Sequence, residues 1–77
     1  MKLNIKYFGL LTEVTNCTEE IIDFNESTIQ ELLHELFTKY PDLQNMDFQV
    51  AQNNEIVFKE AIISNSEIAL LPPFSGG

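Results

Sequence analysis

Hydrophobic and polar residues alternate at the start of the chain. Between residues 2 and 8, Leu3, Ile5 and Tyr7 fall on one face, while three polar residues and Phe8 fall on the other. A period of two is typical of a strand with one buried face. Similar patterns predict four further strands, over residues 19–24, 48–52, 56–58 and 67–71.

One amphipathic helix is predicted by the strongest signal in the chain. Apolar residues recur at helical spacing along a single stripe, at Ile29, Leu32, Leu33, Leu36, Phe37 and Tyr40. A capping box is expected at its start, formed either by Thr28 with Glu31 or by Ser27 with Gln30. Pro41 disfavours helical geometry in the residue before it and therefore ends the helix.

The order of these elements, ββαβββ, predicts an α+β fold. One mixed sheet needs its apolar face covered, and the single helix supplies the cover. The segment 67–71 reads EIALL, is apolar on both faces, and is expected to be a central strand. Asn53 and Asn54 are expected to form a hairpin turn. Residues 1–71 are predicted to form one domain, followed by a flexible C-terminal tail over residues 72–77.

Charge narrows the range of functions. The chain has 12 acidic and 4 basic side chains, for a net charge of −8. This balance argues against binding to nucleic acid or to an anionic membrane, and it favours a basic protein surface as partner. The sequence shows neither a signal-peptide pattern nor a long apolar run, so a cytoplasmic protein is expected. No spacing of residues resembles a metal site.

The most reactive side-chain types offer weak candidates for chemistry. His34, the only histidine, falls on the polar face of the helix, where Glu35 and Lys39 are expected to form an ion pair. Cys17, the only cysteine, lies close to two acidic residues that discourage its thiolate form. We therefore expect both side chains to be chemically passive.

The last six residues, PPFSGG, offer the stronger candidate. Pro72 and Pro73 have no backbone N–H group to donate, so they end sheet pairing and project the chain outward. Phe74 is then an aromatic residue beyond the sheet. Gly76 and Gly77 have no side chains, so they fit a narrow channel and leave an unhindered carboxylate. Physical reasoning alone leaves two possibilities open: a frayed end or a functional one.

The ending PPFSGG resembles that of the MoaD/ThiS-like, ubiquitin-like family of sulfur carriers, which includes the small subunit of molybdopterin synthase. The chain length, the strand ending at Tyr7 and Phe8, the single helix and the VAQN stretch at residues 50–53 fit the same family. The resemblance implies a ubiquitin-like β-grasp fold. One departure is the turn before the last strand, where Ser64-Asn65-Ser66-Glu67 replaces the Asp-Gly-Asp-Glu that is frequent in the family.

For function, the resemblance implies a sulfur-carrying cycle at Gly77. An adenylyltransferase of the ubiquitin-activating type uses ATP to adenylate the carboxylate, which then becomes a thiocarboxylate. This group donates sulfur to a pyranopterin precursor in the active site of the synthase large subunit, in an assembly expected to contain two small and two large subunits. The chain itself binds no cofactor and is not catalytic alone.

A set of partner-binding residues is expected for such a cycle, with the anchor inferred from the importance of aromatic residues at interfaces and the docking face from strand alternation alone. Phe74 is the expected anchor, and the sheet face with Phe8 and Leu71 is the expected docking surface. The full set is Gly76, Ser75, Phe74, Pro73, Pro72, Leu71 and Phe8. Three alternatives remain open: a sulfur carrier for thiazole (thiamin) synthesis, a ubiquitin-like protein modifier, and a non-catalytic β-grasp interaction module.

Overall fold

The strands form one mixed sheet, and the helices pack on one of its faces. The computed structural model describes residues 1–73. In chain order, the strands and α-helices are β1 (Lys2–Tyr7), α1 (Leu11–Thr15), β2 (Glu19–Asp23), α2 (Ile29–Lys39), β3 (Gln49–Gln52), β4 (Glu55–Val57) and β5 (Glu67–Leu71). A 3₁₀ helix, Pro41–Asn45, follows α2. The strand order across the sheet is β2-β1-β5-β3-β4.

The last strand occupies the centre of the sheet, as its apolar sequence predicts. Strand β5 runs parallel to β1 on one side and antiparallel to β3 on the other. Its residues Ile68 and Leu70 are fully buried. The alternation predicted for β1 is also confirmed, because Leu3, Ile5 and Tyr7 all face the core. Sheet and helix thus share a single apolar core.

The predicted capping box begins helix α2. The Thr28 hydroxyl accepts a hydrogen bond from the Glu31 N–H group at 3.3 Å, and the Glu31 carboxylate accepts one from the Thr28 N–H group at 3.0 Å. The helix ends at Lys39, two residues before Pro41, as the proline predicts. The 3₁₀ helix begins at Pro41, and it buries Leu43 in the core.

Local details of the strands follow the predictions closely. Asn53 and Asn54 have φ angles of 54° and 62° and form the expected turn between β3 and β4. Each of the first four predicted strands differs from the observed one by a residue at one or both ends. The short helix α1, between β1 and β2, has no counterpart among the predicted elements, and it buries Leu11 and Thr15.

One predicted ion pair is wrong. Within residues 1–73, Lys39 pairs with Glu20 on β2, and not with Glu35 on its own helix. The Glu20 carboxylate is held beside the end of α2 by hydrogen bonds from Tyr7 and Tyr40. Lys39 therefore pairs with a fixed and largely buried carboxylate on another element. A pairing rule based only on helical spacing does not include such partners.

Candidate functional site

The parallel pairing of β1 with β5 places Phe8 next to Leu71. Tyr7 pairs with Leu70, and the Phe8 N–H group donates a hydrogen bond to the Leu70 carbonyl oxygen at 3.2 Å. Since Tyr7 and Leu70 face the core, the residue after each faces the opposite side of the sheet. Phe8 is 43% exposed there, and Leu71 is half-buried. The two residues predicted to share a docking face therefore do lie on the same face.

A shallow groove of about 350 Å³ runs across this side of the sheet, and we call it the open-face groove. Its apolar lining consists of Phe8, Ala51, Ile56, Ala69 and Leu71. The two alanines lie opposite each other in the pairing of β3 with β5, so the middle of the groove has only small side chains. Lys6 and Glu67 line one side of the groove and form an ion pair at 3.3 Å.

The chain leaves the sheet beside the turn that follows β1. Pro72 and Pro73 come directly after β5, and both are exposed. Pro72 packs against Gly9, which has a φ angle of +60°. The Gly9 carbonyl oxygen accepts hydrogen bonds from the N–H group and the hydroxyl group of Thr12, at 3.1 and 2.8 Å. Thr12 thus stabilises the turn at Gly9, against which Pro72 packs.

The role of Gly9 as the contact for Pro72 was not predicted from the sequence. The signal was present, since a glycine directly after a strand often marks a positive φ angle or a close approach of backbone. The predictions for Phe74, Ser75, Gly76 and Gly77 lie outside the described residues. They remain predictions that rest on the sequence and on the resemblance described above.

Glu20 is the centre of a polar cluster on the core side of the sheet. Its carboxylate accepts hydrogen bonds from the hydroxyl groups of Tyr7 and Tyr40, each at 2.6 Å, and from the Lys39 ammonium group. Burial opposes ionisation of Glu20, but these three donors outweigh it and hold the pKa of the carboxyl below its usual value. Burial, followed by the bond to Glu20, raises the pKa of Tyr7 and of Tyr40 well above the normal range.

This cluster links three elements of the fold. The two tyrosine hydroxyl groups and the lysine ammonium group all donate to the one carboxylate. Tyr7 is on β1, Glu20 on β2, and Lys39 with Tyr40 at the end of α2. Tyr7 and Tyr40 also pack edge to face, with ring centroids 6.1 Å apart. The arrangement fits a structural role.

The remaining reactive side chains are dispersed. His34 is exposed on α2, and Cys17 is half-buried and unpaired with another cysteine. In the part of the chain that the structure describes, no three His, Cys, Asp or Glu residues are grouped to hold a metal ion. None of the helices described over residues 1–73 is long and apolar enough to cross a membrane.

Comparison with known proteins agrees with this architecture. The sequence model described as "ThiS family" matches residues 5–77. A curated relative, the molybdopterin synthase sulfur carrier subunit of Chlamydomonas reinhardtii, is 29% identical, and the alignment covers 100% of both chains.

Two solved structures show the same fold. The structure described as molybdopterin converting factor, subunit 1, from Pyrococcus furiosus has a TM-score of 0.87 at 19% identity and covers 96% of this chain and 99% of its own. The small archaeal modifier protein 1 of H. volcanii has a TM-score of 0.77 at 25% identity, with 95% and 98% covered. These likenesses confirm the predicted α+β, ubiquitin-like β-grasp fold.

Proposed function

Because the chain belongs to the ThiS family, we propose that it is a sulfur carrier in molybdopterin synthesis and that Gly77 carries the sulfur. One observation supports this most directly: the match to the family extends through the Gly-Gly ending to residue 77. The curated relative named as a molybdopterin synthase sulfur carrier subunit aligns over the whole of both chains.

The proposed chemistry takes place at the Gly77 carboxylate. A carboxylate oxygen is a poor leaving group, so an adenylyltransferase of the ubiquitin-activating type first joins it to AMP from ATP. The terminal sulfur of a persulfide on a donor protein then attacks the acyl group and displaces AMP, which gives an acyl disulfide. A thiol reduces the S–S bond of this intermediate, forms a disulfide with the donor sulfur, and releases the thiocarboxylate with its nucleophilic sulfur. The synthase large subunit binds the pyranopterin precursor and supplies the acid and base groups. The carrier contributes the reacting sulfur and the means of delivering it.

The open-face groove is the proposed docking surface for the large subunit. Phe8 and Leu71 provide adjacent apolar side chains at the point where the chain leaves the sheet. Pro72 and Pro73 restrict the backbone between this surface and Gly77, which lowers the entropy cost of ordering the tail in a partner's channel. The net charge of −8 favours basic residues around the binding sites of both partners.

Intact mass spectrometry tests the chemical step. After co-expression with an activating enzyme and a sulfur source, the mass is expected to change by the replacement of one oxygen with sulfur. Deleting Gly77 should abolish both this change and sulfur transfer without altering the thermal midpoint. Cys17→Ser is the matched control and should retain both. Loss of transfer in a folded Cys17→Ser protein would contradict a terminal carrier.

A second candidate function is protein modification, favoured by the likeness to a protein named small archaeal modifier protein 1. A modifier would appear in the same experiment as an adduct joined through an isopeptide bond to lysine. Reconstitution with the large subunit and the pyranopterin precursor separates molybdopterin synthesis from a thiazole pathway. An unchanged mass in every condition would favour an inert interaction module.

A further inference from the structure

A second apolar surface lies between helix α2 and strand β4, on the opposite side of the sheet edge from the open-face groove. Two adjoining cavities of about 670 and 550 Å³ share Leu33, Phe37 and Lys59, and together they form what we call the helix-edge groove. Its apolar lining includes Leu33, Phe37, Met46, Phe48 and Phe58, and Ile56 on the edge strand lines both this groove and the open-face groove.

The two walls of this groove are built differently. Leu33 and Phe37 are one helical turn apart on α2, half-buried, and form a ridge along one side. Phe37 packs edge to face with Phe48, with ring centroids 6.2 Å apart, so the ridge is held in place. On the other side, Phe58 follows β4 directly and is 74% exposed. An aromatic residue this exposed, beside a contiguous apolar cleft, is typical of an interaction site.

The charges around the helix-edge groove are strongly unbalanced. Five carboxylates line it, those of Glu26, Glu31, Glu35, Asp47 and Glu60. Lys59 is the single lysine or arginine among the residues that line the two cavities. An apolar cleft with an acidic rim is complementary to a segment that has apolar residues along its middle and basic residues along its edges.

We propose that the helix-edge groove binds a basic amphipathic helix of a partner protein. Apolar side chains of that helix, spaced at i, i+3, i+4 and i+7, pack between the Leu33–Phe37 ridge and Phe58. Its lysines and arginines lie against the acidic rim. Binding here leaves Phe8 and Leu71 free, so the carrier can be held by one partner while its sulfur-carrying tail and docking face engage another.

A second copy of the chain is a poorer occupant. Each copy has a net charge of −8, and the acidic rim of one would face the acidic rim of the other. Like charges at close range oppose association. Self-association through the helix-edge groove is therefore an outcome that would overturn the proposal.

NMR titration of the ¹⁵N-labelled full chain tests the proposal. The probe is a synthetic amphipathic helix of leucine and lysine, about 14 residues or four turns long. The matched control peptide has glutamate in place of every lysine. We expect the lysine peptide to shift the amide signals of Leu33, Phe37 and Phe58, and the glutamate peptide to leave them unchanged.

Variants separate the apolar and charged contributions. Phe58→Ser should weaken binding of the lysine peptide by about tenfold, as expected for an aromatic anchor. Glu60→Gln should weaken it by about twofold, whereas Glu13→Gln, the same change on α1, should have no effect. Phe8→Ser should also have no effect. Because Phe58 is mostly exposed, its variant is expected to keep a native spectrum, which the same experiment reports.

Four outcomes would overturn the inference. Signal changes centred on the open-face groove would mean that the peptide binds elsewhere. Equal binding of the two peptides would remove the role of charge, and unchanged affinity in Phe58→Ser would remove the role of the cleft. Changes at Leu33, Phe37 and Phe58 that depend only on protein concentration would identify a second copy as the occupant.

Discussion

Pro72 lies so close to Gly9 that a Cβ atom on Gly9 would be 2.7 Å from the Pro72 Cγ atom. Real side chains essentially never approach this closely, so a larger residue at position 9 must displace the proline. Gly9 also has a φ angle of +60°, which most residues with a Cβ atom avoid. The turn after β1 thus determines where the last segment of the chain leaves the sheet.

Gly9→Ala is expected to affect both stability and sulfur transfer. The positive φ angle costs alanine about 1 kcal/mol relative to glycine, before any cost of moving Pro72. Urea denaturation should show a free energy of unfolding lower by about 1–2 kcal/mol. Reconstituted transfer to the synthase large subunit should be slower, because Pro72, which directly follows β5, is displaced.

Gly9→Asn is the matched control for backbone strain. Asparagine tolerates a positive φ angle but places a Cβ atom in the same position. We therefore expect Gly9→Asn to be more stable than Gly9→Ala and still slow in sulfur transfer. Wild-type transfer by Gly9→Asn would show that the contact between Gly9 and Pro72 has no part in delivery.

Phe8→Ser tests the open-face groove as the docking surface. Phe8 is partly exposed, so the change should lower stability modestly and weaken binding to the large subunit by about tenfold, measured by isothermal titration calorimetry. Ile21→Ser is the control, because Ile21 is 68% exposed on the same side of the sheet but outside the groove. Equal losses in the two variants would argue against a localised docking site.

The sequence predicted those features that depend on local pattern. Alternation in β1 identified Leu3, Ile5 and Tyr7 as core residues, and the apolar run in β5 identified a central strand. Both predictions succeed because the side-chain period of a strand is fixed by its geometry. The predictions of the capping box at Thr28 and of the turn at Asn53 also succeed, because each feature needs only residues that are close in the chain.

The features that sequence reasoning missed depend on distant residues meeting. The contact between Gly9 and Pro72 exists only because the first and last strands pair in parallel. The pairing of Lys39 with Glu20 likewise joins a helix end to an edge strand. Helical spacing favoured Glu35 as the partner of Lys39, because such a rule considers one element at a time. No local pattern contains this information.

Thr28→Ala should destabilise the protein by removing one side of the capping box. The Thr28 hydroxyl accepts the hydrogen bond from the Glu31 N–H group, and an N-cap of this type contributes about 1 kcal/mol. Urea denaturation should report a loss of this size. Ser27→Ala is the control, with an expected change below about 0.5 kcal/mol for an exposed residue next to the cap. A larger loss from Ser27→Ala would place the cap one residue earlier.

Glu20→Gln should destabilise the protein in a manner that depends on pH. At pH 7 the charged carboxylate accepts hydrogen bonds from Tyr7, Tyr40 and Lys39. Hydrogen bonds to a charged group contribute more than neutral ones, so we expect a loss of about 2 kcal/mol in the free energy of unfolding. Glu19→Gln, the neighbouring change on the opposite face of β2, should cost less than about 0.5 kcal/mol.

The sign of the pH dependence follows from the lowered pKa of Glu20 in the folded chain. Such a carboxyl stabilises the fold fully at pH values above its unfolded pKa of about 4.3, and this contribution is lost as the pH falls through the folded pKa. The difference between wild type and Glu20→Gln should therefore be constant from about pH 6 to 8 and shrink below about pH 4. Urea denaturation at several pH values measures it. A difference that stays the same in acid would mean that Glu20 stabilises the fold by packing, and not by its charge.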